Sequence, residues 1–174
     1  IYSISDVEYS IIEPFIRIPS PYKSKTGRVI KKSTESKKID LKNVAINGAD
    51  SIELINSLGL SPWLAKRTLA YSRLLGGYYD VNQLKEVYGM SDSIYNSIQK
   101  YIVIDTNNTQ KIDINNVEFK KLLKHPYFDY NTTKSLFKIK NKIGSFTNLD
   151  EVKMVDGIND SILNKVSYYL YIRR

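Results

Sequence analysis

Apolar residues near the middle of the chain follow a helical period that breaks at a glycine and resumes beyond it. Leu54, Ile55 and Leu58 share one face of a helix expected over about 50–57. Gly59 allows the chain to turn, since glycine takes positive φ without steric cost. Ser61 is a good N-cap and Pro62 fits the first position of a second helix, expected over 62–75. Gly76-Gly77 stops that helix. Asp80 then opens a third helix, with Gln83 three residues on in a capping-box pattern, and Val87 ends it. A second hairpin, Tyr88-Gly89-Met90-Ser91, leads into a fourth helix over about 92–102.

The same pattern recurs. Residues 44–102 align without a gap on 112–170 at a constant offset of 68, with identities at Ile46/Ile114, Asn47/Asn115, Lys66/Lys134, Gly76/Gly144, Gly89/Gly157 and Asp92/Asp160 among others. Asn148 and Glu151 repeat the capping box. Glycines coinciding where turns are needed, over an ungapped span, indicate an internal duplication. The expected organisation is therefore a first copy at 44–102, a short polar joint at 103–111 and a second copy at 112–172, all helical. Ile1–Tyr9 matches Val87–Tyr95, and Pro14–Ile18 continues onto Lys100–Ile104. Residues 1–18 thus read as the closing hairpin of a preceding copy, and at least one further repeat is expected ahead of Ile1. Residues 19–43, rich in Pro, Ser and Lys, read as a solvated connector.

Charge changes the picture only by its location. The 174-residue chain carries a formal +8, which points towards nucleic acid as partner. Residues 19–43, however, hold eight bases against two acids, while 44–102 is balanced at five each and 112–170 has nine against seven. The connector is the basic part, able to lie on DNA or on a membrane surface. There is no cysteine, hence no disulfide or thiolate metal site. His125 is the single histidine and reads as a turn residue; no catalytic constellation, nucleotide-binding P-loop, metal cluster or cofactor site is legible, and the chain reads as a non-enzyme with no small-molecule substrate. Of the 14 tyrosines, Tyr71, Tyr95, Tyr101 and Tyr169 read as core and Tyr78 and Tyr79 as cover for the connector after Gly77. Trp63 is expected beside the first hairpin, and Lys134, Lys138, Lys140 and Lys142 on a solvated face.

A turn followed by a helix N-terminus gathers backbone N–H groups and the positive end of a helix dipole at one point, which suits a phosphate. The first hairpin meets this need best: Gly59, Leu60 and Ser61 are expected to supply N–H groups, and Lys66 and Arg67 add charge. The second hairpin has Gly89 and Ser91 but places Asp92 in the first helical turn. The fourth has Gly157 but places Asp160 there, with Asp156 just before the glycine. The third, His125-Pro126-Tyr127-Phe128-Asp129-Tyr130, has lost its glycine, and Asp129 stands where Ser61 stands in the first. Carboxylates at these places stabilise a helix by about 0.3–1 kcal/mol and repel a phosphate. Candidate phosphate-contacting residues are therefore Gly59, Leu60, Ser61, Lys66 and Arg67, then Gly89, Ser91 and Gly157.

Leu58-Gly59-Leu60-Ser61-Pro62 resembles the helix-hairpin-helix motif, with serine in place of its second glycine. Two such hairpins joined by a connector helix resemble the tandem (HhH)2 domain. The run Val44-Ala45-Ile46-Asn47-Gly48-Ala49-Asp50-Ser51-Ile52-Glu53-Leu54 is similar to the lead-in of the ComEA-like competence DNA receptors. Leu75-Gly76-Gly77-Tyr78-Tyr79, Glu86-Val87-Tyr88-Gly89-Met90 and Lys124-His125-Pro126-Tyr127 resemble phrases of the multi-repeat helix-hairpin-helix proteins of Bacteroidetes. These resemblances imply an all-α tandem fold that holds double-stranded DNA by its backbone during uptake. They also imply a periplasmic place behind a membrane anchor ahead of the repeats. Few hairpins keep the chemistry, so the expected DNA affinity is weak and sequence-independent, about 10⁻⁴–10⁻⁶ M at physiological salt. The competing expectation is a degenerate scaffold contacting a protein partner in an envelope complex. Near-neutral copies and acids at three turns favour it.

Overall fold

The computed structural model describes residues 41–173, so the fragment at 1–18 and the connector up to residue 40 lie outside the described residues. The fold is mostly helical, with four two-residue strands. The first copy runs β1 (Val44–Ala45), α1 (Ser51–Leu58), α2 (Pro62–Leu75), a 3-10 turn (Val81–Glu86), α3 (Asp92–Ile98), a 3-10 turn (Gln99–Tyr101) and β2 (Ile102–Val103). The second runs β3 (Ile112–Asp113), α4 (Phe119–Leu122), α5 (Tyr130–Ile143), a 3-10 turn (Leu149–Met154), α6 (Asp160–Val166) and β4 (Leu170–Tyr171). Apart from the shortened α4 and the 3-10 turn before β2, each element of the first copy recurs 68 residues on, Pro62–Leu75 as Tyr130–Ile143 for instance.

Two expectations are corrected. The third helix of each copy is a six-residue 3-10 turn. Asp80 caps it through Asn82 N–H, and Gln83 returns to the Asp80 N–H, leaving too few residues before Val87 for an α-helix to propagate. The fourth helix stops at Ile98 instead of continuing to residue 102, because Ile102 and Val103 pair in parallel with Val44 and Ala45. β3 and β4 close the second copy in the same way.

The repeated asparagine acts as a clasp on this closure. Asn47 accepts from Tyr78 N–H and donates to the Tyr78 and Asp105 carbonyls. Asn115 accepts from Phe146 N–H and donates to its carbonyl. Each clasp ties the start of a copy to the chain leaving the long helix.

Each copy has its own apolar core. Leu54, Leu58, Leu60, Leu64, Leu75 and Leu84 fill the first; Ile114, Leu122, Phe128, Leu136, Phe146 and Val152 fill the second. The copies meet through aromatic and polar groups in one compact unit. Tyr169 is fully buried against the first core, and its hydroxyl donates to the Gly77 carbonyl at 2.7 Å and accepts from Gln83 Nε2 at 2.8 Å. Glu86 accepts from Tyr71, Tyr127 and Lys165. Burial alone would raise the Glu86 pKa; these hydrogen bonds and the Lys165 charge outweigh it and hold the carboxyl below its ordinary range. Tyr79 stacks on Tyr168 at 3.9 Å.

His125 is the second copy's contribution to this seam. It is buried, its Nδ1 accepts from Tyr127 N–H at 3.3 Å, and burial lowers its pKa from 6.5 to about 4. Because the folded value lies below the unfolded one, this stability is complete above pH 6.5 and falls away as pH drops towards 4. Between pH 7 and pH 5 the loss is expected to be about 2 kcal/mol. Urea midpoints across that window check it, with His125→Asn expected to flatten the slope.

Candidate nucleic-acid interface

The first hairpin closes α1 as a Schellman-type turn. Gly59 adopts φ 67°, its N–H bonds the Ile55 carbonyl at 3.1 Å, and the Leu60 N–H reaches back to Leu54 at 3.4 Å. The Leu60 side chain is buried in the core. The expectation that Gly59 and Leu60 offer N–H groups to a phosphate is therefore corrected: both amides are spent on the carbonyls at the end of α1.

What remains open is the start of α2. Ser61 caps it, its Oγ accepting from Leu64 N–H at 3.2 Å and its carbonyl from Ala65 N–H at 2.9 Å. Pro62 has no N–H. The Ser61 and Trp63 amides have no hydrogen-bond partner among the described residues, and both residues are exposed. Exposed Lys66 follows one turn along. Every other described α-helix has a carboxylate at its N-cap or in its first turn: Asp50 and Glu53, Asp92, Glu118, Asp129 and Asp160 in chain order. α2 alone among them has a neutral cap and no acid in the first turn. Asp129, as expected, accepts from Thr132 N–H at 2.7 Å; that backbone bond holds its carboxyl below the ordinary range and puts a negative charge where Ser61 is neutral.

Arg67 does not stand free beside Lys66. Its guanidinium lies over the Trp63 ring at 4.1 Å and over the Tyr88 ring at 4.5 Å, and the two rings meet edge-on at 6.2 Å. Trp63 is 50% and Tyr88 74% exposed. The stack carries the first hairpin onto the second. Gly89, at φ 91°, faces the indole so closely that a Cβ there would fall 2.4 Å from the ring. Gly157 makes the equivalent approach in the second copy, to Thr132 Oγ1. The close approach each glycine permits is thus to the start of its own copy's long helix, a packing reason for their identity that the spacing alone did not reveal. Ser91 caps α3 through Ile94 N–H, and exposed Asp92 follows it. Of the candidate residues, Arg67 and Gly89 meet on the Trp63 ring, Ser61 caps and Lys66 lies on the helix that carries that ring, and Gly157 belongs to the second copy's own contact.

Residues 40–103 match the helix-hairpin-helix motif family. That span covers the first copy, its Schellman turn, its open α2 N-terminus and the second hairpin packed against it. The helix-hairpin-helix motif is generally a non-catalytic, nucleic-acid-binding element. Comparison with curated proteins and with solved structures finds no match.

Proposed function

We propose that the first helix-hairpin-helix copy binds double-stranded DNA without sequence preference, through one backbone phosphate seated at the α2 N-terminus. The observation that carries this is the pair of open amides on Ser61 and Trp63 at the start of a 14-residue helix, with no carboxylate in its first turn and exposed Lys66 one turn along. Lys66 adds a second contact to the backbone. Contacts made through backbone amides and a lysine go to phosphates, so affinity follows the phosphate spacing and not the sequence. A role in holding DNA during uptake at the cell envelope rests on the resemblance of residues 44–54 and extends this reading.

Ser61→Asp is the sharpest test, because the second copy already uses aspartate at the equivalent Asp129. Aspartate caps as well as serine, so stability should stay within about 0.5 kcal/mol. The added charge at the anion site should weaken binding of a labelled 30-mer duplex at least tenfold at low salt, read by fluorescence anisotropy. Wild type should show a log–log salt slope of about −2, matching two phosphate contacts. Duplex binding that ignores Ser61→Asp would remove α2 from the interface. The exposed Trp63–Tyr88 stack would then favour the scaffold reading, with a protein partner docked on those rings.

A further inference from the structure

A second basic site lies away from the hairpin, at the opposite end of α2, where the two copies join. The last turn of α2, the strand leading into the second copy and the end of α4 enclose an opening of about 210 Å³. Arg73, Gln110, Lys111, Lys121, Lys124 and His125 are among its walls, and no carboxylate lines it. None of the four cations takes part in an ion pair among the described residues. Four unpaired positive charges around one small opening repel one another, and a bound anion relieves that repulsion.

The walls are held in place by the fold. Gln110 N–H bonds the Gly76 carbonyl at 2.7 Å, and the backbones approach so closely that a Cβ on Gly76 would fall 2.8 Å from the Gln110 carbonyl oxygen. His125 lines the same opening. The residue is 3% exposed, and Nε2 is covered and has no hydrogen bond of ordinary geometry among the described residues. The Tyr127 N–H donates to Nδ1, which places the ring proton on Nε2. Nε2 is covered and has the Leu75 carbonyl as its neighbouring acceptor, so the imidazole lines the cationic opening and senses what enters it without bonding to it.

We propose that this opening binds a phosphate monoester, with the Arg73 fork donating to its oxygens and Lys111, Lys121 and Lys124 balancing its charge. A dianionic tetrahedral group suits several donors arriving from different walls better than a single carboxylate does. Beyond the phosphate, Leu74 and Ile112 offer an apolar surface to the group that the ester carries. The source is either a free mononucleotide or the terminal phosphate of a nucleic-acid strand; an internal phosphodiester, flanked by sugars on both sides, enters such a recess poorly.

The single histidine makes the test direct, because one imidazole Hε1 signal reports this site in proton NMR. At pH 7.5 the full chain is titrated with deoxythymidine monophosphate, with thymidine, and with the same duplex carrying either 5′-phosphate or 5′-hydroxyl ends. The expected result is a saturable shift of the signal with the monophosphate and none with thymidine. Lys121→Glu/Lys124→Glu, both at exposed positions, should weaken that response at least tenfold, and Ser61→Asp should leave it within twofold. A response to the phosphorylated duplex at lower concentration than to the monophosphate assigns the site to strand ends; the reverse assigns it to free nucleotide. No saturable shift with either phosphate probe, an equal shift with thymidine, or a response untouched by Lys121→Glu/Lys124→Glu would overturn the proposal. The monophosphate and thymidine results do not depend on whether duplex binds at α2, and the duplex comparison is made in the Ser61→Asp background to remove that contribution.

Discussion

Replacing Gly89 with alanine is expected to destabilise the fold by about 2–5 kcal/mol, measured by urea denaturation. Two costs combine. An L-residue held at φ 91° carries about 1–2 kcal/mol of backbone strain. The new methyl also lands 2.4 Å from the Trp63 six-membered ring, an overlap costing about 1–3 kcal/mol as the indole is forced off Gly89. The indole cannot give way freely, because Arg67 and Tyr88 are stacked on it. Adding Trp63→Ala separates the terms. The packing cost should vanish in the double variant and the backbone cost should stay, a coupling of at least about 1 kcal/mol. Gly89→Ala within about 0.5 kcal/mol of wild type would mean that the indole is not seated on the second hairpin.

Gln83→Met is expected to cost about 3 kcal/mol or more, although methionine fills nearly the same volume. Gln83 is buried, and its amide is the hub between the copies. Oε1 accepts from the Tyr79 and Asp80 N–H groups, and Nε2 donates to the Tyr127 and Tyr169 hydroxyls. Removing the amide strands two backbone donors and deprives two hydroxyls of their donor, and each buried polar group left unsatisfied costs about 1–3 kcal/mol. The equivalent residue in the second copy is Glu151, exposed to Thr147 rather than to another copy. A carboxylate serves there; at residue 83 it would lack the two donors the tyrosines take. Tyr169→Phe probes the same hub, so Gln83→Met/Tyr169→Phe should be less destabilising than the sum of the single changes. Full additivity in thermal or urea unfolding would contradict a shared network.

The elements that announced themselves in the sequence are those set by local chemistry. α2 spans Pro62–Leu75 as expected because Ser61, Pro62 and Gly76 mark its ends within a few residues. Asp129 shows itself as a cap by the same logic. The elements set by distant partners stayed hidden. Ile102 looks like a continuing helix until Val44, 58 residues earlier, claims it as a strand. The Asn47/Asn115 identity was visible, but its role as a clasp needs Tyr78 and Phe146 brought alongside. His125 read as a turn residue; its burial comes from the docking of the two copies, which no single copy's pattern encodes. At the interface, the spacing correctly drew attention to the first hairpin but credited Gly59 and Leu60 with amides that α1 consumes. The open donors, Ser61 and Trp63, lie just beyond, and a count of which carbonyls the α1 end must satisfy is the signal that finds them.

The most direct test of the account is to watch those two amides. In a ¹⁵N–¹H spectrum titrated with a short duplex at low salt, the Ser61 and Trp63 N–H signals should show the largest saturable shifts in the first copy. Gly59 and Leu60 should move less, and the Asn131 and Thr132 amides behind Asp129 should stay still. Shifts centred on the second copy, or spread evenly with Ser61 and Trp63 unmoved, would contradict a phosphate seat at the start of α2.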